Sequence, residues 1–164
     1  MKLDYAKAMS NIASAVKKIR PKVDYYFKVK GDKFDAKQDL KSIIALSGEN
    51  PNAQVCLEIN VAGYSTTGYF AIYGSDIMFD FGYDSVVFND DMESNIFCFN
   101  SASEFFTAGI YKSDDGDTSI VFQRSGRLDD SDDATDFVES CIEQFYKLST
   151  FGDDSFSNIL GMMT

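Results

Sequence analysis

Apolar residues near the N-terminus recur every three or four positions, which is the spacing of one helical face. Tyr5, Ile12 and Val16 lie on this face, whereas Lys7 and Lys18 lie on the opposite one. The aspartate at position 4 provides an N-cap, and the proline at position 21 stops the pattern. The sequence therefore predicts a helix over residues 4–20.

The next apolar positions alternate with polar ones. Residues 23–29 predict a half-buried strand, which the Gly31-Asp32 pair ends. Residues 35–46 return to a helical spacing, with Leu40 and Ile44 on the apolar side. Residues 48–52, which include a proline, are the strongest breaker in the chain. This breaker is the predicted boundary between an N-terminal extension and the main body.

From residue 54 the apolar period is two, and short runs alternate with turn residues. The predicted strands are residues 54–61, 68–73, 77–81, 86–88, 108–112 and 118–124. The predicted connections are a loop over residues 63–67, turns at residues 74–76, 82–84 and 113–116, and a polar link at residues 125–128. Strands joined by short turns predict an antiparallel sheet.

Residues 90–106 fit two patterns. The segment NIFCFN can form a strand, but Met92, Ile96, Phe99 and Phe106 also fit one helical stripe, and we favour a helix with irregular ends. The acidic residues 129–136 then lead into a final amphipathic helix. Its apolar positions are Phe137, Val138, Cys141, Ile142, Phe145 and Leu148.

These elements predict an α+β fold, a single twisted antiparallel sheet of about five strands with helices packed on one face. The competing fold is a β-sandwich in which residues 90–106 form a strand. A length of 164 residues fits one domain. Within residues 1–164 we expect a basic helix–strand–helix region over residues 1–50 and an apolar tail over residues 150–164.

The composition removes most catalytic chemistry. The chain has no histidine, which excludes Ser-His-Asp and Cys-His catalysis and histidine-ligated metals. No phosphate-binding glycine motif occurs, and neither Asp114 nor Asp129 starts an EF-hand loop with the required glycine and glutamate. We therefore expect no enzyme activity, no catalytic residue and no cofactor. A weak Ca²⁺ site near residues 129–136 is less favoured than a solvated helix start.

Charge divides the chain in two. Residues 1–41 carry eleven Lys or Arg against five Asp, whereas residues 42–164 carry four basic residues against 21 acidic ones. An acidic body repels nucleic acids and membranes and attracts basic proteins, so we expect a protein partner. The basic region can lie on its own acidic body or on that of a second copy. We slightly favour the second arrangement, a homodimer.

The three cysteines, Cys56, Cys98 and Cys141, form no CxxC pair and stand among apolar neighbours. We expect three buried, reduced thiols. Charged residues occupy the positions where a signal peptide would be apolar, and no run of 18 apolar residues occurs. These features predict a cytoplasmic protein.

Candidate partner-binding residues lie near the C-terminus. They are Asp132, Asp136, Glu139 and Glu143 on one helical stripe, and Phe156 and Leu160 in the tail. The acidic stripe is explained fully by a solvated polar face. It also allows a second interpretation, in which carboxylates imitate DNA phosphates, although their spacing is sparser than that of phosphates.

The stretch from Phe99 to Leu148 resembles the C-terminal half of type III secretion chaperone-like proteins, including the YbjN family. The shared features are Asn100 at a helix end, an apolar strand around Gly109, a turn over residues 114–116, a returning strand and a helix with an acidic start. This chain differs by its additional residues 1–31, its Met- and Phe-rich tail and the lack of a Trp in the last helix. The resemblance implies a small, acidic, cytosolic, non-enzymatic protein that binds other proteins, commonly as a dimer.

We therefore expect a chaperone- or adaptor-like module that binds a basic or apolar segment of another protein, through an acidic surface and a hydrophobic sheet or groove. The alternative is an acidic inhibitor, either a toxin-immunity protein or a phage-type DNA mimic that blocks a nucleic-acid enzyme. A structural domain with a weak ligand site is the third class. An affinity that falls steeply with salt would favour the inhibitor.

Overall fold

The computed structural model describes residues 3–19, 24–29, 32–35, 53–61, 64–84, 89–151 and 159. The described helices are α1 (Tyr5–Ile19), α2 (Asp90–Ala102) and α3 (Asp133–Phe151). The described strands are β1 (Asp24–Val29), β2 (Asp32–Asp35), β3 (Ala53–Val61), β4 (Tyr64–Tyr73), β5 (Asp76–Tyr83), β6 (Thr107–Lys112) and β7 (Thr118–Arg127).

The seven described strands form one antiparallel sheet in the order β2-β1-β3-β4-β5-β7-β6. The α+β class and the single antiparallel sheet are confirmed, although the sheet has seven strands rather than about five. Strand β2 was missed because its sequence, DKFD, has one apolar residue and follows a turn signal. It nevertheless pairs with β1, with Phe27 opposite Phe34.

One face of the sheet is a continuous aromatic core, which accounts for many of the 15 phenylalanines. Phe79 stacks on Phe70 with ring centroids 4.4 Å apart, and Phe81 stacks on Phe122 at 5.0 Å. The ring of Phe145, on α3, meets Phe81 edge-on at 4.8 Å. The prediction that helices pack on one face is confirmed, because α3 covers this face. We call it the helix-covered face and its opposite the second face.

Helix α1 buries its apolar stripe, as the sequence predicted. Ala8, Ile12 and Val16 are fully buried, whereas the lysines of the opposite side are exposed. Asp4 caps the helix by accepting a hydrogen bond from the backbone N–H of Lys7 at 3.0 Å. No helix in the described part of the chain combines the length and the apolar character that a bilayer crossing needs.

Helix α2 decides between the two predicted folds. Asn89 caps it by accepting a hydrogen bond from the backbone N–H of Met92 at 2.8 Å. Met92, Ile96 and Phe99 are buried, and the ring of Phe99 meets Phe122 of the sheet edge-on at 5.2 Å. The helix prediction for this segment is confirmed over residues 90–102, whereas residues 103–106, including Phe106 of the predicted stripe, lie outside the helix; the β-sandwich alternative is wrong.

Several predicted boundaries are wrong because polar residues continue a strand. Residues 64–67 were expected in a loop, yet they begin β4, where the Thr66 hydroxyl donates to the Gly82 carbonyl. Gly82 and Tyr83 end β5 rather than forming a turn, and residues 125–127 extend β7 rather than forming a polar link. The predictions for residues 36–46, 48–52 and 86–88 lie outside the described residues.

The two predicted hairpin turns with short glycine loops are present. Gly74, between β4 and β5, has a φ of 64°, and Gly116, between β6 and β7, has a φ of 90°. These left-handed conformations carry little steric cost only for glycine. The tyrosine hydroxyl of Tyr5 donates to the Gly74 carbonyl at 2.6 Å, so α1 is tied to the first hairpin.

Candidate protein-interaction site

The acidic start of α3 serves the helix itself. The carboxylate of Asp133 accepts hydrogen bonds from the backbone N–H groups of Asp129 and Asp130, at 2.8 and 3.0 Å. Asp130 in turn accepts from the N–H groups of Asp132 and Asp133, at 2.7 and 3.2 Å. Asp130 therefore satisfies backbone donors that the helix start would otherwise leave unpaired, whereas Asp133 holds the turn that precedes the helix.

Two residues of the predicted acidic stripe pair with α1 of the same chain. Lys7 Nζ lies 3.0 Å from Asp132 Oδ2, and Lys18 Nζ lies 3.4 Å from Glu139 Oε1. Asn11 also donates to Asp132 at 3.1 Å. The hydrogen bond from Lys7, aided by that from Asn11, lowers the pKa of Asp132. The basic helix thus lies on its own acidic body, which cancels charge without a second copy.

The other predicted site residues are more dispersed. Asp136 is exposed on the same helix, and Glu143 pairs with Lys147 one turn later at 2.8 Å. Phe156 and Leu160 lie outside the described residues. Between them Ile159 is fully buried, so this residue contributes to the protein's own core.

Strand β6 is an outer strand of the described sheet and pairs there only with β7. Asn100 of α2 covers part of its free side, because its amide donates to the Ala108 carbonyl at 2.9 Å and accepts from the Ala108 N–H at 2.7 Å. The backbone of Ala108 therefore points away from β7. Since strands alternate, the backbone N–H and C=O of Ile110 point the same way. No described residue bonds to them.

Large apolar side chains are exposed around this strand. Phe97 on α2 is 72% exposed, Tyr111 is 61% exposed and Ile110 is 36% exposed. Asn100 holds α2 beside β6, and Phe97 lies one helical turn before Asn100. Ile110 shares the helix-covered face with its pairing partner Ile120, whereas Tyr111 is on the second face. We call Phe97, Ile110 and Tyr111 the edge patch.

The second face carries an isolated carboxyl. Asp80 is half-buried on β5, between Tyr69 of β4 and Gln123 of β7 in register. Burial raises the pKa of Asp80 to about 6, and no described cation or hydrogen-bond donor offsets that burial. Burial also raises the pKa of the neighbouring Tyr69 hydroxyl.

The cysteines do not share one environment. Cys56 and Cys141 are buried, as predicted, and burial raises the pKa of Cys56 to about 11 and that of Cys141 still further. Cys98 is exposed, so its predicted burial is wrong. It lies next to Phe97 on the outer side of α2, away from the stripe of Met92, Ile96 and Phe99. Among the described residues, no three His, Cys, Asp or Glu side chains are grouped to hold a metal ion.

The edge patch was not among the residues singled out from the sequence. A signal existed for Phe97, because it falls outside the helical stripe that buries Met92, Ile96 and Phe99. No comparable signal marks Ile110 and Tyr111. Their exposure depends on β6 being an outer strand, and strand order is a property of the whole sheet rather than of a local pattern.

No family model matches this chain, and no curated protein matches it. Part of its fold is similar to the crystal structure of YbjN from E. coli, a proposed transcription regulator. The two chains share 14% identity over 62% of this chain and 76% of that chain, with a TM-score of 0.46. This likeness concerns fold in part and carries no argument about what this chain binds.

Proposed function

We propose that this chain is a non-enzymatic, chaperone- or adaptor-like module that binds another protein at the edge patch. The observation that carries the proposal is where the exposed apolar side chains lie. Of the four large hydrophobic residues exposed in the described part of the chain, Phe97, Ile110 and Tyr111 lie on α2 and β6. They expose apolar side chains on both faces of an outer strand, which is an arrangement that can accept an added strand from a partner.

The chemistry of the chain supports binding rather than catalysis. The sequence offers no histidine, and the two buried thiols have raised pKa values that disfavour the nucleophilic thiolate. Burial raises the pKa of Asp80 to about 6, but no described base, metal group or second carboxylate is placed to work with it.

The acidic inhibitor has less support. Asp132 and Glu139, two of the four carboxylates on the proposed mimic stripe, already face lysines of α1. A surface that imitates nucleic acid needs its charges available to the enzyme that it blocks. The homodimer stays a prediction, and light scattering tests it, since a mass near 18.3 kDa would reject it.

Site-specific photo-crosslinking tests the proposed function. A photoreactive phenylalanine analogue is placed at position 97, and at positions 73 and 136 in two control proteins, in cells that make the protein naturally. We expect one or a few discrete adducts from position 97 that the Tyr111→Ser change weakens, and none of these from position 73. Adducts from position 136 alone would favour the acidic inhibitor, and an absence of adducts from position 97 would contradict the proposal.

A further inference from the structure

The surroundings of the edge patch are strongly acidic. From Asp90 to Asp117 the chain carries seven acidic residues and a single basic one, Lys112. The acidic residues are Asp90, Asp91, Glu93, Glu104, Asp114, Asp115 and Asp117, all of them exposed. This excess is greater, in proportion, than that of the whole chain, which has 26 acidic and 15 basic residues.

The acidic residues lie close to the patch. Asp114 and Asp115 follow Tyr111 by three and four residues, in the turn that ends the β6–β7 hairpin. The first turn of α2 contains three more acidic residues and no base. Only four residues separate α2 from β6, and Asn100 binds Ala108 across that connection. The chain therefore folds back between α2 and β6, with one acidic group one to two helical turns before Phe97 and the other directly after the end of β6.

Few basic side chains belong to the elements around the edge patch, and one of them, Arg124, already contacts Phe105. The guanidinium of Arg124 lies over the ring of Phe105, 4.7 Å from its centroid, and donates to the Phe105 carbonyl at 3.3 Å. At the α1–α3 contact, in contrast, lysines lie against the carboxylates. In the part of the chain that the structure describes, the seven carboxylates of residues 90–117 form no ion pair, so apolar side chains at the edge patch are accompanied by an unpaired acidic rim.

We propose that the edge patch binds a basic segment of another protein, whose apolar side chain contacts Phe97 and whose lysine or arginine side chains face the surrounding carboxylates. The proposal rests on the proposed function and names the chemistry of the partner. Charge complementarity selects this occupant. In a two-fold dimer formed through this patch, the second copy would bring an equally acidic rim against this one, and like charges oppose such contact.

The backbone of β6 offers hydrogen-bonding groups to such a segment. The N–H and C=O of Ile110 point outward, whereas Asn100 already occupies those of Ala108. An extended segment can therefore form hydrogen bonds beside Ile110, with side chains on its two sides reaching Phe97 and Tyr111. Added strands of this kind gain affinity from the main chain and specificity from alternate side chains.

Fluorescence anisotropy with two defined peptides tests the proposal. One fluorescein-labelled peptide alternates Lys and Val, and the other alternates Glu and Val. We expect the Lys–Val peptide to bind at least about tenfold more tightly in 50 mM salt, and its affinity to fall several-fold by 300 mM. Equal affinity for both peptides would overturn the basic specificity and leave the proposed function standing.

Matched variants locate the binding. Phe97→Ser should weaken the Lys–Val peptide about fivefold or more, whereas Tyr73→Ser, at a side chain 41% exposed in the other hairpin, should not. The double change Asp114→Asn and Asp115→Asn should weaken it about threefold at low salt, and the control pair Asp129→Asn and Asp136→Asn should leave it unchanged. Dependence on the control pair, with Phe97→Ser neutral, would assign the peptide to α3 and overturn the proposal.

Three further results separate failure of this inference from failure of the proposed function. Crosslinks from position 97 without affinity for the Lys–Val peptide would mean a partner of different chemistry. A doubled mass that Phe97→Ser returns to 18.3 kDa would mean that a second copy occupies the patch. Neither crosslinks nor peptide binding would overturn both proposals. Circular dichroism checks that Phe97→Ser is folded, and Tyr111→Ser provides a second variant.

Discussion

The α1–α3 contact and the edge patch both combine apolar side chains with carboxylates, but they differ in burial and in ion pairing. At the α1–α3 contact, apolar side chains are buried and the carboxylates at its rim face lysines, as with Lys7 and Asp132 at 3.0 Å. At the edge patch, Phe97 is 72% exposed, and the acidic residues over positions 90–117 form no ion pair with a described lysine or arginine. The α1–α3 contact is an interface between two elements of the same chain. The edge patch has the composition of a protein–protein interface, but its apolar side chains are exposed.

The number of charged residues alone does not locate a binding surface in this chain. The stripe of α3 and the rim of the edge patch are both acidic, yet Asp132 and Glu139 of the stripe are engaged by α1. What distinguishes the two regions is whether the chain itself supplies the complementary groups. This criterion needs the tertiary structure, because Lys7 and Asp132 are 125 residues apart.

Thiol reactivity should give the largest difference between the two regions. Cys141 lies buried in α3, and Cys98 lies exposed beside Phe97. We expect one thiol per chain to react with a maleimide in minutes, with Cys56 and Cys141 at least about a hundredfold slower until the protein is unfolded, because burial raises their pKa values. Mass spectrometry after a brief pulse identifies the labelled residue. Fast labelling of Cys141 would mean that the α1–α3 region opens readily.

Truncation of one apolar residue in each region compares their packing. Ile12 is fully buried on α1, so Ile12→Ala should lower the free energy of unfolding by about 2–5 kcal/mol. Phe97→Ala should change it by less than about 0.5 kcal/mol, because its side chain is already in water. Urea denaturation measures both variants. A large loss for Phe97→Ala would show that the patch is part of the core.

The pH dependence of stability tests a carboxyl without a partner against those with one. The pKa of Asp80 is about 6 in the folded chain and lower in the unfolded chain. Between about pH 4 and pH 6 the folded state therefore holds more protons at this carboxyl than the unfolded state does. Its contribution to the free energy of unfolding therefore falls over that window. Asp80→Asn should stabilise the protein at pH 7.5 by on the order of 1 kcal/mol, since partial solvation screens the effect. A destabilised variant would mean that Asp80 has an ionic partner.

Removal of one lysine at the rim of the α1–α3 contact should have the smallest effect. Both side chains of the Lys7–Asp132 pair are largely in water, at 52% and 70% exposure, so Lys7→Ala should lower stability only slightly. The loss should shrink further in salt. An NMR titration should show the pKa of Asp132 rising towards its ordinary value. An unchanged pKa would contradict the pairing.

Local pattern sufficed for α1, α2, α3 and both glycine hairpins, since burial of one face and tight turns leave a signal within a few residues. It failed at β2 and at residues 64–67, where polar residues without an apolar alternation are held in a strand by pairing with the strand that precedes them. The candidate site was harder to predict from the sequence than the strands were. The acidic stripe was visible as a spacing, but its engagement by α1, and the exposure of Ile110 and Tyr111, follow from which elements become neighbours.

The most direct test of the central claim is an amide chemical-shift map recorded while the Lys–Val peptide is added to the ¹⁵N-labelled protein. We infer that the edge patch is accessible to a partner, whereas the carboxylates of the α1–α3 contact already face lysines of the same chain. We predict that the largest shifts fall on residues 97, 98, 110 and 111, with residues 132–143 nearly unchanged. The largest shifts over residues 132–143, or no shift at the edge patch, would contradict it.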